Sequence, residues 1–208
     1  MNFSAIDRDQ LKGQFISFLK RWWASLIMLP FMFYSIHQVY WALNYNIFFA
    51  VNYSYPFPLD IIYLFVDTFI LIVHEAGHTF FGLLGWRFLT ILGGSLFQVL
   101  LPLAIVLFFW INRKSIGLQF SFLLLGFSWL DVATYAADGS ARQLPLIGGL
   151  GKESHDWYNL LVRMDALEYD MTYGLTFIAI GIACYLAAIL IPFFYRNYKS
   201  VDLDLQLD

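Results

Sequence analysis

Four long stretches of this chain carry no charge, and they set its architecture. No Asp, Glu, Lys or Arg occurs from Trp22 to Leu59, from Phe88 to Asn112, from Ser115 to Leu130, or from Met171 to Tyr195. A membrane-spanning helix needs ~20 apolar residues, so the first stretch is too long for one crossing. It divides into a span at Trp22–Leu43 and an aromatic, Asn- and Pro-containing interfacial loop at Asn44–Pro58. Ile61–Leu84 predicts a second span despite carrying Asp67, His74, Glu75 and His78. Phe88–Ile111, Ser115–Ala137 and Met171–Tyr195 predict three more. Trp22, Trp23, Trp86 and Trp110 fall at predicted span ends, where aromatic belts form. Residues 139–170 form the one sizeable loop, opening on LPLIGGLG and turning helical from Ser154. Met1–Arg21 is too charged for a signal peptide core and predicts an amphipathic or frayed lead-in.

The expected fold is therefore an all-α membrane protein of about five transmembrane helices, residues 1–208 forming a single membrane-embedded domain. Composition supports this class. Apolar residues make up 60% of the chain and charged residues 13%, against roughly 25% charged in a soluble domain. The net charge of -3 leaves no basic footprint for nucleic acid. The lone Cys184 excludes an intrachain disulfide and reads as an apolar filler. Nothing in the sequence sets the oligomeric state.

Lys and Arg counts give an orientation. With the N-terminus inside, Arg8, Lys12, Lys20, Arg21, Arg87, Arg142, Lys152 and Arg163 lie inside, and Arg113, Lys114, Arg196 and Lys199 outside. The C-terminal ends of the second and fourth spans then face the cytoplasm.

Ionisable residues at membrane depth are functional candidates by default. The second span holds His74-Glu75-Ala76-Gly77-His78, an H-E-x-x-H pattern. Positions i and i+4 share a helix face, so both imidazoles can reach one zinc ion. Glu75 is offset around the helix, where a carboxylate can take a proton from an activated water. Ala76 and Gly77 let a neighbouring helix approach closely. Zinc needs a third protein ligand, and Asp131, Asp138 and His155 are the alternatives. Asp67 shares the histidines' face but lies ~10 Å further along the axis, as a packing or supporting residue. Asp131, Tyr135 and Asp138 share one face of the fourth span, with Asp131 level with the histidine pair. Gln98 and Tyr135 are candidate contacts to a substrate carbonyl or oxyanion. His37 and Gln38 read as packing or interface residues.

HEAGH in a transmembrane helix resembles the site-2 protease class of intramembrane zinc metalloproteases. The ordered set HEAGHTFFGLLG, GGSLFQVLLPL, DVATYAADGSARQLPLIGG and HDW is similar to a bacterial group of membrane peptidase-like proteins within that class. It covers roughly Ile70 to Leu161. The resemblance implies zinc held by His74, His78 and an Asp from a later span, with Glu75 as general base. The sequence departs from the class pattern for that Asp: Leu130-Asp131 is followed by Val132, and Asp138, though followed by Gly139, is preceded by Ala137.

The function expected is zinc-dependent hydrolysis of a peptide bond in or near a transmembrane segment of another protein. The site would lie near the cytoplasmic side of a bacterial inner membrane. The alternative is a zinc-binding membrane chaperone or regulator without proteolytic activity. A haem or di-iron oxidase fits poorly: i, i+4 histidines cannot ligate haem from opposite faces, and four histidines are too few for a di-iron desaturase.

Overall fold

The computed structural model describes residues 8–44 and 55–195. Among them the chain is helical, with no strand. Six α-helices follow in order: α1 Arg8–Asn44, α2 Leu59–Gly82, α3 Arg87–Ile111, α4 Ser115–Ala137, α5 Asp156–Arg163 and α6 Asp170–Phe194. Short 3-10 turns occur at Ile147–Gly149, Lys152–Ser154 and Leu167–Tyr169. Most of the expected interfacial loop 44–58 lies outside the described residues.

Four helices are long and apolar enough to cross a membrane: Gln10–Asn44, Arg87–Ile111, Ser115–Ala137 and Leu167–Phe194. The span expected at 61–84 forms as a full 24-residue helix, α2, but falls outside these four. Asp60, Asp67 and Glu75 make it the most acidic of the long helices. Of the two expectations for the N-terminal lead-in, amphipathic or frayed, the described residues set aside the second. From Arg8 onward it is not frayed: α1 runs unbroken through 37 residues, about 55 Å at 1.5 Å per residue.

The outward faces are apolar. Phe33, Phe65, Phe108, Leu186 and Phe194 are all more than half exposed, while Ser35, Ser95, Gln98, Gln119, Ser128 and Asp138 are buried. Polar groups inside and apolar groups outside invert the soluble pattern and match a bilayer environment.

Small residues set the helix spacing. The α2–α3 crossing is at Gly77 and Gly93, where a Cβ on Gly77 would lie 2.2 Å from the Gly93 carbonyl oxygen. The extensive α4–α6 interface closes on Gly126 and Gly181, where a Cβ on either would lie 3.0 Å from the other's carbonyl oxygen. Such contacts replace the hydrophobic driving force that lipid does not supply. α1 leans on α4 and α6 through Met28, Met32 and Val39 packed with Leu130, Tyr185 and Ala188. Its contact with α2 is light, with Phe31 meeting Ile70 and Phe127 in one buried apolar cluster, and the cleft between the two helices matters for the site below.

Candidate metal centre

HEAGH lies in the C-terminal half of α2, so His74 and His78 stack one turn apart on its inner face. Their Nε2 atoms are 3.1 Å apart. Both rings rest on α3 at Gly94, where a Cβ would lie 2.5 Å from His74 Nε2 and 2.6 Å from His78 Nε2. Any side chain there would fill the space in front of the two nitrogens. The close α2–α3 approach at Gly77 and Gly93 brings Gly94 under the rings.

The third member of the group is Asp156, the first residue of α5. Its Oδ2 is 3.2 Å from His74 Nε2 and 3.1 Å from His78 Nε2. Two nitrogens and one oxygen thus form a nearly equilateral triangle. Ligands ~2.0 Å from a tetrahedral cation are about 3.3 Å from one another, so the triangle has the dimensions of one face of such a shell. The tautomers agree with this. His78 Nδ1 is 2.9 Å from the Thr90 carbonyl oxygen, an acceptor only, so His78 Nδ1 carries the proton. His74 Nδ1 donates to Gln98 Oε1 at 2.9 Å. In neutral imidazoles both Nε2 lone pairs then point into the triangle alongside a carboxylate oxygen. Three electron-rich atoms at this spacing call for positive charge between them, supplied by a metal cation or by protons on the imidazoles. In the protonated form, burial opposes ionisation of Asp156, but hydrogen bonds from His74 and His78 outweigh it and hold the carboxyl down at about 2.

Asp156 is held in place by α4. The Tyr135 hydroxyl accepts from the Asp156 amide at 3.0 Å and donates to Asp156 Oδ2 at 3.3 Å. On the other side, Gln98 Nε2 donates to Asp131 Oδ2 at 2.6 Å, which links Asp131 through Gln98 to His74. Gln98 and Tyr135, expected at a substrate carbonyl or oxyanion, thus have their polar atoms engaged with residues of the centre itself.

None of the three residues weighed as third ligand occupies that position. Asp131 is level with the histidines but one amide away. Asp138 caps the end of α4, and its carboxylate accepts from the Gln143 and Leu144 amides at 2.8–2.9 Å and from His155 Nε2 at 3.2 Å. His155 uses its other nitrogen, Nδ1, to accept from the Tyr158 amide as the N-cap of α5. With both nitrogens engaged it has no lone pair left for a metal. The HDW segment works residue by residue. His155 ties to Asp138, Asp156 joins the histidines, and Trp157 Nε1 donates to Ser95 Oγ on α3 at 3.1 Å.

The triangle opens onto a cleft of about 470 Å³ bordered by α1, α2, α4 and the segment 144–150. Glu75, half-buried beside the histidines, lines it, as do Asp67, Tyr63 and Gln38 further along. Comparison with protein-family profiles, with curated proteins and with solved structures gave no match to this chain.

Proposed function

We propose that this chain is a zinc-dependent membrane metallopeptidase that cleaves a peptide bond in or beside a transmembrane segment of another protein. The observation that carries the reading is the triangle of His74 Nε2, His78 Nε2 and Asp156 Oδ2, each side 3.1–3.2 Å. A donor set of two imidazoles and one carboxylate, open on one side, is the pattern of catalytic rather than structural zinc. Zinc there would supply Lewis acidity toward a scissile carbonyl and bring a water's pKa to about 7. Glu75, at the cleft wall next to both histidines, is the base that takes the water's proton and returns it to the leaving amine. The cleft, lined by α1 on one side and α2 on the other, would take in the substrate segment. That segment must unwind locally, since helical carbonyls are already hydrogen-bonded.

We read α2 as a fifth crossing, because it packs along α3 through the short 83–86 connection and α3 is itself long and apolar enough to cross. The Lys/Arg asymmetry favours the N-terminus and the mouth of the cleft on the cytoplasmic side of a bacterial inner membrane. The test is cleavage of fluorogenic transmembrane-segment peptides by detergent-purified protein. Chelator-sensitive hydrolysis by the wild type, abolished in Glu75→Gln with zinc still bound, is expected. Full activity in Glu75→Gln would overturn the mechanism. Zinc binding without hydrolysis by the wild type would assign the chain to non-proteolytic regulators.

A further inference from the structure

We infer that Asp131 is a positioning residue for the metal centre, fixing through Gln98 which nitrogen of His74 is free to bind. The inference rests on the metal-site reading above. Gln98 is 1% exposed on α3, and among the described residues its side chain meets two polar partners, Asp131 on one side and His74 on the other. Its side chain is an amide, so the two ends are chemically opposite: one donates, the other accepts. Either way round would suit an isolated imidazole. If Gln98 offers Oε1, His74 carries its proton on Nδ1 and Nε2 is a lone pair facing His78 and Asp156. If it offers Nε2–H, His74 Nδ1 becomes the acceptor. The ring proton then moves to His74 Nε2, into the space where the cation would sit.

The Asp131 carboxylate removes that ambiguity. Asp131 Oδ2 accepts the Gln98 Nε2–H, at 2.6 Å, and so turns Oε1 toward His74. A carboxylate on a neighbouring helix thus sets the tautomer of a ligand it does not touch. The same outcome at His78 needs no such device, because the Thr90 carbonyl can only accept. The familiar arrangement, in which a carboxylate or carbonyl contacts the outer nitrogen of a ligating histidine, is extended here by one amide.

The test uses full-length protein in detergent, with zinc affinity read by chelator competition. The His74 tautomer is read in the metal-free protein at alkaline pH, where a histidine carries a single ring proton, from 15N shifts of labelled histidine. Asp131→Leu should weaken zinc binding by about 10–100-fold and shift His74 toward the Nε2–H form. Gln98→Glu alone, which sets two carboxylates against each other, should also weaken binding. The double variant Gln98→Glu with Asp131→Asn should recover wild-type affinity within a few-fold. There the carboxylate introduced at position 98 accepts from His74, and the amide introduced at position 131 donates to that carboxylate. Such a rescue separates positioning from a merely structural role. An unchanged His74 tautomer and unchanged affinity in Asp131→Leu, or no recovery in the double variant, would overturn the inference. Should the wild type bind no zinc, the metallopeptidase reading falls, while the tautomer shift still decides this one.

Discussion

Asp138 and His155 meet 3.2 Å apart, Oδ2 to Nε2, with neither side chain exposed by more than 1%. This contact closes the 139–154 excursion between α4 and α5 and delivers the next residue, Asp156, to the histidines on α2. Removing one partner of a buried hydrogen-bonded pair leaves the other unsatisfied, at a cost of about 1–3 kcal/mol for each such group. Asp138→Ala is therefore expected to lower the thermal midpoint and to expose the 139–155 segment to limited proteolysis. It should weaken metal binding by about 10–100-fold rather than abolish it, and a chelator titration separates the two outcomes.

Glycine substitutions should divide by what the new Cβ meets. At Gly94 it would lie against both His Nε2 atoms, so Gly94→Ala should abolish metal binding while the helices persist by circular dichroism. At Gly77 it would strike the backbone of α3 at 2.2 Å, so Gly77→Ala should destabilise the protein itself. At Gly82 the nearest atom is 3.5 Å away, and Ala there should be neutral or stabilising by up to ~1 kcal/mol through helix propensity. Unfolding midpoints of the three variants check the order.

Acid should reveal the charge on Asp156 in metal-free protein. The carboxyl is held at about 2, below the ordinary 3.8. A depressed folded-state pKa adds stability that is present above 3.8 and is lost as pH falls through 2. The increment is about 2 kcal/mol, so the stability difference between wild type and Asp156→Asn should shrink as pH falls from 5 to 2. Parallel unfolding curves for the two proteins across this range would contradict it.

Much of the architecture was legible because lipid imposes simple rules: charge-free stretches map onto α1, α3, α4 and α6. The histidine pair was legible because i, i+4 spacing places both rings on one face whatever the tertiary fold. Asp156 was not, and the reason is physical. Depth matching along the spans compares only residues within spans, whereas Asp156 opens a short helix outside them, after a loop whose path depends on Asp138 accepting two backbone amides. The neighbouring His155 drew attention as the better zinc-binding chemistry, yet it serves as an N-cap. The signal available was HDW itself: a capping residue followed by an acid at the start of a helix leaves that acid's side chain free to point away from the cap. Gln98 and Tyr135 were visible as polar residues in apolar helices, but only the packing shows that they face Asp131, His74 and Asp156.

Zinc content of the purified protein, wild type beside Asp156→Ala, tests the metal centre most directly. About one zinc per chain is expected for the wild type and for Glu75→Gln, which removes no ligand. Asp156→Ala should retain almost none after dialysis against a weak chelator, as should His74→Ala and His78→Ala. A wild type without zinc, or Asp156→Ala with as much zinc as the wild type, would contradict a centre built from His74, His78 and Asp156.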